Sequence, residues 1–177
     1  SLPFAAKDDY GVEAGEARIM LDLASVDRRY GLSVEPDVRA EIMVPLPMPI
    51  SGGRVAFEEN LIYDFSRHPW ANLPVTIAMS ALDAAEQQAK AHMSTVTLPG
   101  RRFFDPLAAA IVENRRDILW ALSNGPRASQ IIRAVSHLPE GFIKNDKAYL
   151  LLRVALRRLE AENNEGLGEV PRDEVAE

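Results

Sequence analysis

Between Val44 and Ile50 a proline stands at every second position: Pro45, Pro47 and Pro49 alternate with Leu46 and Met48. Each proline fixes φ and removes an amide donor, so neither a helix nor a central strand can pass through the run. What remains is polyproline II or an edge strand. Ser51-Gly52-Gly53 then offers a turn, and Arg54-Val55-Ala56-Phe57 has the composition to return as a strand. An extended arm is therefore expected over about residues 32–57, with a β-like arm or hairpin near residues 40–57.

The flanks read as helical. Residues 12–30 place Ala17, Leu21 and Ala24, with Met20 and Leu23, at helical spacing, carry Glu13 and Glu16 near the positive end and stop at Gly31. A short helix over 58–67 ends ahead of His68-Pro69. The next starts at Pro74 and runs to about residue 93 on a high Ala and Gln content, and Leu98-Pro99-Gly100 breaks it. The clearest signal follows: Asp105 caps, Pro106 takes the first helical position, and Asn124-Gly125-Pro126 ends the helix. A helix over 127–138 stops at Pro139, and a last one, capped by Asn145 or Asp146, runs to about residue 163. Residues 165–177 read as an acidic, mobile tail. The fold expected from this pattern is mainly α: an irregular bundle of five to six helices, forming one helical domain over 1–164 with the arm attached.

Composition narrows the function classes. The 177 residues include no cysteine, which excludes disulfides, thiolate zinc sites and a cysteine nucleophile. No run of about 18 apolar residues occurs, so no spanning helix and no membrane partner are expected. The first residues, Ser1-Leu2-Pro3-Phe4, lack the basic flank of a signal peptide, and a cytoplasmic location is expected.

Charge is distributed in blocks. Residues 101–158 carry eleven Lys/Arg against five Asp/Glu, whereas residues 1–100 and 159–177 each have a net charge of −6. The basic block consists of Arg101, Arg102, Arg115, Arg116, Arg127, Arg133, Lys144, Lys147, Arg153, Arg157 and Arg158. Its preponderance of arginine suits forked contacts to carboxylate or phosphate. On the last helix Arg153 and Arg157 share a face with Leu150 and Val154, opposite a stripe of Ala148, Leu151, Leu152, Ala155 and Leu159. A helix apolar on two sides is either deeply buried or held between its domain and a partner. The expected function is a non-enzymatic structural or adaptor subunit that binds protein partners or further copies of itself. Nucleic acid is the alternative partner for the same basic face. The plainest reading is a solvated face whose arginines pair with the acidic tail.

Other candidates are weighed the same way. Trp120 points away from the stripe Leu107, Ile111, Ile118 and Leu122, one turn beyond Arg116, so it either packs within the domain or anchors an interface. Leu46, Met48 and Ile50 either dock into a partner's groove or lie on their own domain as a covered loop. Tyr30-Gly31-Leu32-Ser33 has the look of a helix-turn-helix turn, but Asp27 stands where a small residue is needed and Pro36 falls inside the second helix. Catalysis has little support. His68, His92 and His137 are far apart, and there is no Gly-rich phosphate loop and no nucleophile elbow. No catalytic residue, metal site or cofactor is indicated, and an enzyme whose site assembles from distant residues is the third reading.

Overall fold

The computed structural model of the protein describes residues 1–89, 93–137, 145–165 and 175–176. Among these residues there are three α-helices and seven strands, every strand pair antiparallel. The mainly α bundle of five to six helices does not form. Helices occur only after residue 105, and the residues before it build sheets. The chain divides into two compact units, one of residues 1–26 and 39–101, the other of residues 27–38 and 102–177.

The first unit holds β1 (Leu2–Lys7), β2 (Val12–Leu21), β3 (Ile42–Pro45), β4 (Ala56–Leu61), β5 (Pro74–Asp83), β6 (Gln88–Ala89) and β7 (Met93–Thr97). β1 and β4 make a two-stranded sheet. β3, β2 and β5 lie side by side in a second, with β6 and β7 both on the far side of β5.

The helix expected over 12–30 is a strand because residues 12–21 fit both periods. Ala17 and Leu21 are four apart, yet Ala17, Ile19 and Leu21 also alternate, and β2 follows the alternation because β5 pairs with it from Leu21↔Val75 to Val12↔Asp83. Gly15 weakens the helical alternative further. In the strand its missing side chain is filled by the arm: a Cβ there would stand 2.9 Å from Leu46 Cδ1 and 3.2 Å from Met48 Cε.

The helices expected over 58–67 and 74–93 fail for the same reason. Residues 56–61 pair with β1, where Phe4 and Phe57 meet edge to face with centroids 6.2 Å apart. Residues 74–83 alternate Val75 and Ile77 inward and become the central strand, with Pro74 at its first position. The Ala- and Gln-rich stretch after it forms a turn closed by Asp83, not a helix.

The arm is not a hairpin either. β3 pairs with β2, and β4 pairs with β1. β3 is an edge strand, as the prolines require. The Leu46 N–H donates to Gly15 O at 2.8 Å, which turns the Pro45 nitrogen toward the open edge, where no donor is needed. Ala17, Ile19, Val44, Val75, Ile77 and Leu98 are buried in this unit.

The second unit contains α1 (Pro106–Trp120), α2 (Gly125–Ser136) and α3 (Asp146–Glu165), together with a 3-10 turn at Tyr30–Ser33 and another at Leu122–Asn124. Here the local signals are realised. The Asp105 carboxylate accepts the Ala108 N–H at 2.8 Å, and Asn145 Oδ1 accepts the Lys147 N–H at 2.9 Å. The core gathers Ile118, Ala128, Ile132, Leu152, Leu156 and Leu159. The buried stripe of α3 is thus Leu152, Leu156 and Leu159; Leu151, expected in it, lies outside.

In the turn after β4, His68 Nδ1 accepts the Trp70 N–H at 3.1 Å, and the two rings meet edge to face. Burial, reinforced by the positive charge of Arg39, holds the imidazole below its ordinary value of 6.5. The unfolded chain therefore binds more protons below that value. The stability due to neutral His68 is complete above about pH 6.5 and is lost as pH falls through the lower, folded value. Urea midpoints measured from about pH 8 down to about pH 5 should fall more steeply for the wild type than for His68→Asn, which keeps an acceptor without a titrating ring. Equal slopes would refute the assignment.

Candidate functional site

Asp117 lies near the end of α1 and is buried. Its carboxylate meets Arg127 at 2.6 Å and Arg116 at 3.5 Å. Its backbone carbonyl accepts the Asn124 side-chain amide at 2.8 Å, and the same amide nitrogen donates to Gly31 O at 2.9 Å. A Cβ at Gly31 would collide with the Asp117 carboxyl group, so the backbone of residues 27–38 comes this close only because residue 31 is glycine.

Two further ties hold the same segment. The Trp120 indole N–H donates to Val34 O at 2.9 Å, and the Asp37 carboxylate accepts the Leu122 N–H at 2.8 Å. Trp120 is 4% exposed, and the guanidinium over its ring is that of Arg28, at 5.9 Å from the centroid, not Arg116.

This network uses up much of the basic block. Arg116 and Arg127 share Asp117, Arg133 pairs with Glu160 at 2.6 Å, and Arg115 donates through Nε to Ala176 O. Arg101 belongs to the first unit, where it donates to Ser66 Oγ at 3.3 Å, while Arg102 is exposed in the second. Lys144 lies outside the described residues, as does His92. Several arginines of 101–158 therefore have partners within the molecule.

What stays together is the outer face of α3. Leu150, Leu151 and Val154 are 62%, 69% and 50% exposed, and Arg153, Arg157 and Arg158 are exposed beside them, with Lys147 one turn earlier. Arg153 and Arg157 have no ion-pair partner among the described residues. Val154 lies four residues from Leu150 and three from Leu151, so the three side chains form one ridge opposite the buried Leu152, Leu156 and Leu159. The apolar residues of the arm separate: Leu46 is buried over Gly15, Met48 is half-buried beside it, and Ile50 is fully exposed.

No group of three metal-ligating side chains occurs among the described residues, and no helix among them is long and apolar enough to cross a membrane. The family model described as domain of unknown function DUF4175 matches residues 1–175. The chain belongs to this family. No curated protein and no solved structure matches it. In this DUF4175 chain the sequence pattern gives no role to Asp117 or Asp37 and gives Gly31 and Asn124 only the role of ending a helix or forming a turn. The usable signal was a carboxylate inside an arginine-rich helix, Arg115-Arg116-Asp117, which cannot sit on a core-facing position without a cation beside it.

Asp117 makes two linked predictions. Asp117→Ala should destabilise the helical unit by about 2 kcal/mol; this is less than a fully buried pair would give, because Arg127 reaches solvent. Gly31→Ala should be destabilising by a similar amount in the wild type and by a smaller amount once Asp117 is alanine, since the colliding carboxyl is gone while the Cβ of residue 117 still stands 2.5 Å from the new methyl group. Urea unfolding followed by helical circular dichroism measures both. Additive losses in the double variant would contradict this placement of Asp117.

Proposed function

We propose that this DUF4175 chain is a non-enzymatic structural or adaptor module that binds a protein partner through the outer face of α3. One observation carries the reading. A helix whose inner stripe already packs its own unit presents a second apolar ridge, Leu150, Leu151 and Val154, flanked by Arg153 and Arg157. Contiguous exposed apolar side chains with arginine at their border are the composition of an interface, not of a solvated surface. The fitting partner is an amphipathic helix whose apolar face is edged with carboxylates, which the two arginines would orient.

Nucleic acid is the weaker fit. Phosphate binding calls for many free cations along one path, and Arg115, Arg116, Arg127 and Arg133 already have partners inside the molecule.

The double variant Arg153→Glu/Arg157→Glu tests the proposal. The wild-type chain should retain a defined protein partner on affinity purification from its source, or a second copy in sedimentation velocity. The variant should lose it by at least tenfold with its helical circular dichroism unchanged. Identical partners and identical sedimentation for the two forms would overturn the reading. A gel shift with duplex or single-stranded nucleic acid at low salt, abolished by the same substitutions, would transfer the face to the alternative partner.

A further inference from the structure

The first unit contains a second site that does not depend on α3. β1 pairs with β4 along one edge and with nothing along the other among the described residues. The Asp8 N–H donates to Val55 O at 2.8 Å, and this fixes the parity of the strand. Leu2, Phe4 and Ala6 direct their backbone groups to β4, while Pro3, Ala5 and Lys7 direct theirs to the open edge. Pro3 has no N–H, so that edge offers the amides of Ala5 and Lys7 and three carbonyls.

A cavity of about 510 Å³ lies against β1. Consecutive residues 2–8 line one side of it and consecutive residues 79–83 of β5 line another. Along β1 the half-buried Leu2, Phe4 and Ala6 alternate with the exposed Pro3, Ala5 and Lys7. Phe4, Ala6, Leu46 and Met79 supply apolar walls.

Asp83 also lines the cavity. It is 3% exposed; its Oδ1 accepts the N–H groups of Ala85 at 2.9 Å and Gln87 at 2.7 Å, and its Oδ2 has no hydrogen-bond partner among the described residues. A buried carboxylate oxygen without a donor is a strong reason to look for an incoming one. Asp8 and Lys7 line the same cavity with opposite charges, so Asp83 leaves it with a net negative charge.

We infer that this groove binds one extended segment of a partner polypeptide, which adds a strand to the open edge of β1, places alternate apolar side chains against Phe4, Ala6 and Met79, and brings a basic side chain to Asp83. The strand hydrogen bonds supply sequence-independent affinity, and the apolar walls and the orphaned carboxylate supply the preference. The edge extends for about 20 Å, six residues at roughly 3.3 Å each, which is long enough to hold a peptide in one register.

The test uses the intact chain and a displayed library of random dodecamer peptides, panned in parallel against the wild type, Ala5→Pro and Asp83→Asn. Ala5→Pro removes an amide on the open edge and none that pairs with β4, so the sheet remains; an unchanged melting temperature checks this. Enriched peptides should alternate apolar residues and carry Lys or Arg. They should bind Ala5→Pro at least tenfold more weakly, and lose the preference for a basic residue against Asp83→Asn. Hydrogen exchange should find the Ala5 and Lys7 amides unprotected in the free chain and protected in the complex. No enrichment, equal binding to Ala5→Pro, or protection of both amides in the free chain would each overturn the inference. So would binding confined to a small amine that leaves those amides exchanging. Because Arg153→Glu/Arg157→Glu leaves this groove intact, failure at one site is separable from failure at the other.

Discussion

The pairing of β2 with β5 is the constraint on which the first unit is built. It joins residues more than fifty positions apart, and every other strand of the larger sheet attaches to one of these two. β3 adds to β2, while β6 and β7 add to β5. Neither partner has a strong intrinsic commitment to strand, since both are rich in residues that favour helices. Together they satisfy each other's amides along nearly their whole length and bury Ala17, Ile19, Val75 and Ile77 on one face. Local propensity worth a few tenths of a kcal/mol per residue cannot compete with that burial, which contributes about 2 kcal/mol for each large side chain.

Proline shapes this unit by controlling its edges. Pro3 in β1 and Pro45 in β3 each sit where the backbone nitrogen faces outward, so the missing donor removes nothing from the ladder. At β3 the outcome is a blunted edge, with Leu46 and Met48 folded down over Gly15. At β1 only one amide is removed and two remain available beside a cavity. The same device therefore closes one edge and leaves the other selectively open.

In the helical unit a buried carboxylate does the corresponding work. Asp117 gathers two arginines, and the Gly31 backbone packs against its side chain. Trp120 and Asp37 hold the two ends of the same segment. This explains why much of a strongly basic stretch of sequence is paired within the molecule. Arginines at helix positions facing a neighbouring helix find its carboxylates, as Arg133 finds Glu160, whereas Arg153 and Arg157 on the outward face of α3 have no ion-pair partner among the described residues. The double-sided character of α3 was legible from the spacing of Leu150, Arg153, Val154 and Arg157. The exclusion of Leu151 from the buried stripe was not, because it turns on which side of the helix the α2 core approaches. The groove beside β1 left no trace in the sequence, since it joins residues 2–8 to residues 79–83, where the local pattern predicts a helix.

What the sequence determined by itself was everything decided within about four residues. The Asp105-Pro106 cap, the Asn145 cap and the prohibition of a central strand through Pro45, Pro47 and Pro49 are backbone hydrogen-bonding facts that need no distant partner. The tertiary structure alone decided the strand identity of residues 12–21 and 74–83, the internal pairing of four arginines and the open edge of β1. Each of these is settled by a group far away in the chain, where burial and amide satisfaction outweigh the local preference.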